Sequence, residues 1–454
     1  MAEYGTIGQT ATDIAEMVRA GKVTPADAVR QHLEQIEKLD PQLGAFQVVR
    51  AEKAVAEADA VGAREDLASL PLAGVPMAIK DNVAVAGEPM REGSPARPGT
   101  PSSEDHEVVR RLRSAGAVVI GITRLPELGI FGTTESAFGI TRNPWNLERS
   151  PGGSSGGSAA AVSTAMVPVA HGNDGLGSIR IPSACCGLFG LKPGLGTVPA
   201  GLGPNDWYGF AENGPIATTV DDAALVLSVM AGRPELRDAA LPERPLRIAV
   251  SVKSPAPGVR VDREWTEAAR ETGKLLAEAG HDVRDADPPY PIRNANAVLA
   301  RWTAAVALET EGLDRSKLER RTRGHASVGR FMLRTGRVKD SQRDWWRKRA
   351  SAFFSGVDVL ITPTLARPTL PVDDWSHRGW LRTVLANLRY APFAASWNYA
   401  GYPAASVPAG IHSNGTPIGV QLVAPDGGEA LLLALARQLE GLRPWPRHAP
   451  MAGL

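Results

Sequence analysis

The sequence predicts an α/β fold built on a mixed or mostly parallel sheet. From Leu72 onward, short β-branched runs alternate with helical patterns and glycine-rich turns, the texture of strand–helix units laid around a sheet. Composition agrees. With 43% apolar and 22% charged residues over 454 positions, the chain has the balance of a globular protein large enough for an extensive core.

The elements follow in chain order. At the first helix start, Thr24 is the N-cap, Pro25 the first helical residue and Asp27 an acid in the first turn. Val29, Leu33 and Ile36 then form one apolar face, and Pro41 is expected to end the helix. A second helix is expected over residues 51–62. Buried strands are expected at 75–79, 118–122, 167–170, 246–252 and 357–362, with helices at 104–115, 158–166, 220–230 and 263–279 between them. Residues 255–355, carrying Trp302, Phe331, Trp345 and Trp346 among many Arg and Lys, read as helices with amphipathic and basic faces. No low-complexity linker divides the chain. One domain over 1–454 is therefore expected: N-terminal helices to 70, a core over 71–235, a helical insertion at 255–355 that serves as a substrate lid, and a return to the core over 356–454.

Several function classes are disfavoured. A formal net charge of +1 gives no pull toward nucleic acid or a membrane surface. Residues 1–20 lack a basic segment followed by an apolar one, and no run reaches the roughly 20 apolar residues of a membrane span, so a cytoplasmic chain is expected. The only cysteines, Cys185 and Cys186, are adjacent and read as free buried thiols. There is no H-E-x-x-H and no paired-Cys spacing for zinc. The glycine-rich loop also lacks the lysine of a P-loop, so no metal or cofactor is expected.

Three stretches carry chemistry. Ser150-Pro151-Gly152-Gly153-Ser154-Ser155-Gly156-Gly157-Ser158 packs N–H donors and hydroxyls into a loop ahead of a helix. Gly172-Asn173-Asp174-Gly175-Leu176-Gly177-Ser178-Ile179-Arg180 sets a serine in a tight turn whose N–H groups can face an oxyanion. There, Asp174 and Arg180 have the charges to pin the turn as an ion pair. In Gly74-Val75-Pro76-Met77-Ala78-Ile79-Lys80-Asp81, Lys80 closes an apolar strand. Such a lysine either reaches to solvent or is buried for a purpose.

Together these stretches resemble the amidase signature family. Thr141-Arg142-Asn143-Pro144-Trp145 and Gly187-Leu188-Phe189-Gly190-Leu191-Lys192-Pro193 add to the likeness, as do Asp358-Val359-Leu360-Ile361-Thr362-Pro363 and Asn398-Tyr399-Ala400-Gly401-Tyr402-Pro403. The resemblance implies a large twisted mixed sheet flanked by helices on both faces. It further implies a Ser–Ser–Lys triad: Ser178 as nucleophile, Ser154 after a cis peptide bond as proton relay, and Lys80 as the ultimate base. The spacing of 24 positions between the serines is the one the family pattern calls for. The oxyanion N–H groups implied are those of Gly175, Leu176, Gly177 and Ser178, with Ser155 in support.

The physics suits this assignment. A serine hydroxyl needs a base to become a good nucleophile. Lys80 serves only when neutral, which requires burial to push its pKa down from about 10.4. Where many relatives have glycine, this chain has Leu176. It still offers its N–H, but its side chain must turn away or enter the acyl pocket, so a reshaped pocket is expected. Trp207, Tyr208, Phe210, Trp302 and Phe331 are expected to form a hydrophobic lid suited to a bulky apolar or aromatic substrate.

The expected activity is hydrolysis of an amide or a carbamate by a monomer or homodimer. The family also implies an alternative, an amidotransferase A-type subunit for glutamyl-tRNA, which needs a partner. Gly152-Gly153-Ser154-Ser155-Gly156 also fits the G-x-S-x-G nucleophile elbow, but that reading leaves the turn before Arg180 unexplained.

Overall fold

A computed structural model describes residues 5–454; the first four residues of the stretch read for a leader lie outside it. Eleven strands form one mixed sheet. In chain order the strands are β1 (Phe46–Val49), β2 (Pro76–Lys80), β3 (Val118–Thr123), β4 (Glu135–Ser136), β5 (Gly139–Ile140), β6 (Val169–Asp174), β7 (Phe189–Lys192), β8 (Glu212–Ala217), β9 (Arg247–Val250), β10 (Asp282–Asp285), β11 (Val359–Pro363), β12 (Ala404–Ile411) and β13 (Pro417–Val423). β4 and β5 make a separate hairpin, and the others run in the order β1-β3-β2-β6-β8-β7-β12-β13-β11-β9-β10. β3, β2 and β6 are mutually parallel, as are β11, β9 and β10, while the centre is antiparallel. Helices flank the sheet.

Local chemistry explains most boundaries. Thr24 Oγ1 accepts the Asp27 N–H, starting a helix over Pro25–Leu43. Pro41 does not end it, contrary to expectation. Proline removes only its own N–H, and the turn beyond is held by the Gly44 N–H donating to the Asp40 carbonyl. The Asp40 carboxylate then takes the Ala45 N–H at 2.6 Å, and Gly44 closes the helix in the left-handed region. The helix over Ala51–Gly62 lies where it was expected. A helix over Ala11–Arg19, opened by a Thr10–Asp13 capping box, was not foreseen. Residues 255–355 are not wholly helical, because β10 extends the sheet edge from within them. Its two-sided burial is weak, so it lacks the apolar run that betrays a central strand.

The topology chooses where chemistry can occur. β2 and β6 are parallel neighbours, so their carboxyl ends open on the same edge of the sheet, the usual place for a ligand crevice in an α/β fold. Lys80 ends β2 and Asp174 ends β6. Among the described residues, no helix is long and apolar enough to cross a membrane.

Candidate active site

Lys80 is completely buried at the end of a strand whose five residues are all buried. Its Nζ lies 2.7 Å from Ser154 Oγ and 2.6 Å from Asn173 Oδ1. Burial lowers its pKa to about 7, while the charges of Asp174 and Glu92 partly oppose the shift. At neutral pH a substantial fraction of this amine is therefore uncharged. Asn173 Nδ2 donates to Asn82 Oδ1 at 2.6 Å, which turns the amide oxygen toward the lysine and orients its Nζ between that oxygen and Ser154.

Ser154 follows a cis peptide bond from Gly153. The loop is no flexible linker, since every residue over 150–163 is buried. A helix over Gly156–Ser163 begins immediately after Ser155. The Ser155 N–H donates to the Ser178 carbonyl at 3.2 Å, and Ser155 Oγ donates to the Asn173 carbonyl. The glycine–serine loop and the serine turn are thus laced together through Ser155.

The turn after β6 is held by a buried ion pair. Arg180 donates from Nε and Nη2 to the two carboxylate oxygens of Asp174, both at 2.9 Å, with neither side chain exposed. Burial opposes ionisation of Asp174, but the guanidinium holds its carboxyl well below the usual range. Asn398 Oδ1, Gln421 Oε1 and the Ala394 carbonyl, from distant parts of the chain, accept the remaining Arg180 N–H groups.

Asp174 also decides which backbone donors stay free. The Gly177 N–H donates to Asp174 Oδ1 at 2.6 Å, so it is not available to an oxyanion, contrary to expectation. The same carboxylate also takes the N–H groups of Ile179 and Arg180 and the Asn398 Nδ2, so the turn is wound around it and the Gly177 amide is drawn in. Among the described residues, the N–H groups of Gly175, Leu176 and Ser178 have no hydrogen-bond partner. Gly177 has a φ of +116°, a conformation that favours glycine, and Leu176 does not share it. This explains how a leucine replaces the first glycine of the turn. Its side chain enters the neighbouring cavity.

Two cavities meet at Ser178. One, of about 100 Å³, is walled by Ile130, Phe131, Leu176, Val298, Leu299 and Trp302. The other, of about 30 Å³, is lined by Asn82, Glu92, Ser154, Asn173, Trp207 and Glu309.

Of the five expected lid aromatics, only Trp302 and Trp207 line these spaces. Phe210 is buried against Tyr399, at 5.9 Å between ring centroids. Tyr208 lies under the Arg301 guanidinium. Phe331 is 45% exposed on the outer face of its helix. Aromatic content alone does not specify which helical face meets the site.

His171 is buried with its pKa lowered to about 3, accepting the Lys80 N–H at Nδ1 and facing Asn213 at Nε2. It is a fixed neutral strut. Asn82 and Asn173 were missed as site residues. The partnership of Asn173 with Lys80 runs across adjacent strands.

Known proteins resemble this chain over most of its length. The Amidase family model matches residues 27–433. "Putative amidase AmiB2" of Mycobacterium tuberculosis is 43% identical, over 96% of this chain and 96% of its own length. A 6-aminohexanoate-cyclic-dimer hydrolase of Pseudomonas sp. (strain NK87) is 35% identical, over 97% and 96%. The solved structure of 6-aminohexanoate cyclic dimer hydrolase complexed with substrate superposes with a TM-score of 0.88 at 33% identity, covering 98% of this chain and 99% of that one. With a mixed sheet, a buried lysine on a cis-linked serine, and these relatives over nearly its whole length, the chain belongs to the Amidase family of carbon–nitrogen hydrolases.

Proposed function

We propose that the protein hydrolyses amides through an acyl-enzyme on Ser178. The observation that carries this reading is the 2.7 Å contact between Ser154 Oγ and a wholly buried Lys80. Neutral Lys80 takes the Ser154 proton as Ser154 takes that of Ser178, and Ser178 Oγ attacks the acyl carbon. The negative charge on the former carbonyl oxygen is met by the N–H groups of Gly175, Leu176 and Ser178. On collapse the C–N bond breaks, and Lys80 returns the proton through Ser154 to the departing amine. Water then repeats the sequence and frees the acid.

The apolar cavity supports an aliphatic or aromatic limb on the substrate. Linear amides fit this reading. Carbamates pass through the same kind of tetrahedral oxyanion and belong to its range.

The test is the purified chain with an acyl anilide. A stoichiometric burst of aniline, and an acyl adduct found by mass spectrometry on the peptide holding Ser178, are expected. Turnover only after addition of a partner protein and ammonia-donating subunit would favour the amidotransferase alternative instead. The pH profile is a second test. Because Lys80 must be uncharged in the free enzyme, kcat/KM is expected to rise through about pH 7 and level off above it. Full activity at pH 5 would contradict a lysine base.

A further inference from the structure

We propose that the side chain of Leu176 selects the acyl limb of the substrate, admitting acids that are unbranched next to the carbonyl and turning away those with a branch or ring there. This rests on the acyl-enzyme reading and adds its substrate class: amides of straight-chain acids, or of acids whose ring stands further from the carbonyl.

The nucleophile turn has one place for a side chain. A Cβ on Gly175 would lie 2.7 Å from Cε3 of Trp207, and one on Gly177 would lie 2.7 Å from the Ala394 Cβ. Gly177 is also held at positive φ, whereas Leu176 between them is not, so the backbone at 176 does not demand glycine. The half-buried Leu176 packs against the apolar cluster that contains Phe131, Val298 and Trp302, and it lines the cavity of about 100 Å³.

Covalent geometry fixes where along the limb this leucine acts. The Leu176 N–H is one of the free donors of the turn, and an oxyanion bound there lies about 2.7–3.1 Å from the nitrogen. Two bonds of about 1.5 Å each lead from that nitrogen to Cβ, which therefore lies within about 6 Å of the acyl oxygen. The side chain thus stands beside the first carbons of a bound limb, not at its far end.

The relay says which limb that is. The departing amine takes its proton from Ser154, which lines the polar recess and not the apolar cavity. The amine is held on the Ser154 side, and the apolar cavity is left to the acyl limb. Size carries weight in such a pocket. One methylene more or less changes kcat/KM by about 10–200-fold, and truncating a leucine in an apolar wall opens space that a small ring can enter.

The experiment uses two isomeric substrates, hexanoyl anilide and 2-ethylbutanoyl anilide, which differ only in a branch next to the carbonyl. Leu176→Ala is expected to raise the ratio of kcat/KM, branched over straight, by about tenfold or more relative to the wild type. Comparing ratios removes both the intrinsic difference in reactivity and any general loss of activity. Leu176→Met, of similar volume, is expected to keep the ratio close to the wild-type value. A second pair, the 2-ethylanilide and 4-ethylanilide of hexanoic acid, moves the bulk to the amine side, and its ratio is expected to be unchanged in Leu176→Ala. Leu176→Val supplies the same comparisons if Leu176→Ala does not fold.

An acyl ratio unmoved by truncation, with both anilides turned over, would overturn the role of Leu176 while leaving the acyl-enzyme chemistry standing. An equal shift in the aniline pair would overturn the assignment to the acyl limb. Equal shifts in the alanine and methionine variants would overturn size as the cause. No turnover of any anilide by the wild type would overturn both readings.

Discussion

Ser178→Ala is expected to lower kcat by on the order of a million-fold, as removal of the nucleophile does in other serine hydrolases. The magnitude follows from the arrangement of the groups. In the proposed relay, Lys80 and Ser154 move a proton only because an acceptor of the acyl group stands at its end. Without Ser178 Oγ there is no bond to form and no acyl-enzyme. The residual rate would come from substrate positioning and the free N–H groups of Gly175, Leu176 and Ser178.

Lys80→Ala is expected to lose about 10²–10⁴-fold or more, since it removes the base and leaves Ser154 without a partner for its proton. The double variant Lys80→Ala with Ser178→Ala is expected to be hardly worse than Ser178→Ala, because the groups act as one unit. Steady-state assays with active-site titration check both. Retention of near-full kcat by either single variant would remove the mechanism.

Arg180→Met is expected to destabilise the fold by about 3–5 kcal/mol, the usual penalty for leaving a buried charge unpaired. Asp174 has no exposed surface and would lose both bonds from the guanidinium. It also holds the N–H groups of Gly177 and Ile179, so the nucleophile turn loosens with it. Adding Asp174→Asn to Arg180→Met is expected to recover part of the lost stability, because it removes the orphaned charge. Urea or thermal unfolding of the two single variants and the double variant measures the coupling. A wild-type midpoint for Arg180→Met would show that the pair does not hold the turn.

How much was legible varied with the distance along the chain over which each feature is decided. The helix over Ala51–Gly62 depended on its own residues and was read accurately. The Asp174–Arg180 pair joins positions six apart and was expected from charge and spacing. The end of the helix Pro25–Leu43 was misread at Pro41, because its last turn is sustained by Asp40 and Gly44. Leu176 could be placed either away from the pocket or into it. The packed structure turns its side chain into the apolar cavity.

Other features joined residues with no local relation. Arg97 and Glu309 are 212 positions apart, and nothing near either announces the other. Asn173 meets Lys80 only because β6 pairs with β2, a neighbourhood that strand periodicity does not encode. The aromatic lid failed in part for the same reason. Phe331 belongs to an amphipathic helix in sequence, but helix packing sends it outward.

By itself the sequence singled out Lys80, Ser154 and Ser178, the groups of the proposed relay, together with the alternation of strands and helices that makes an α/β chain. Those features reside in short contiguous stretches, where residue type and spacing act directly. The tertiary structure alone decided the order of strands, the depth at which Lys80 is buried, which backbone N–H groups remain free, and the juxtaposition of Glu92 and Glu309 beside Ser178. Desolvation and long-range pairing arise only when distant segments close on one another, so no single segment carries them.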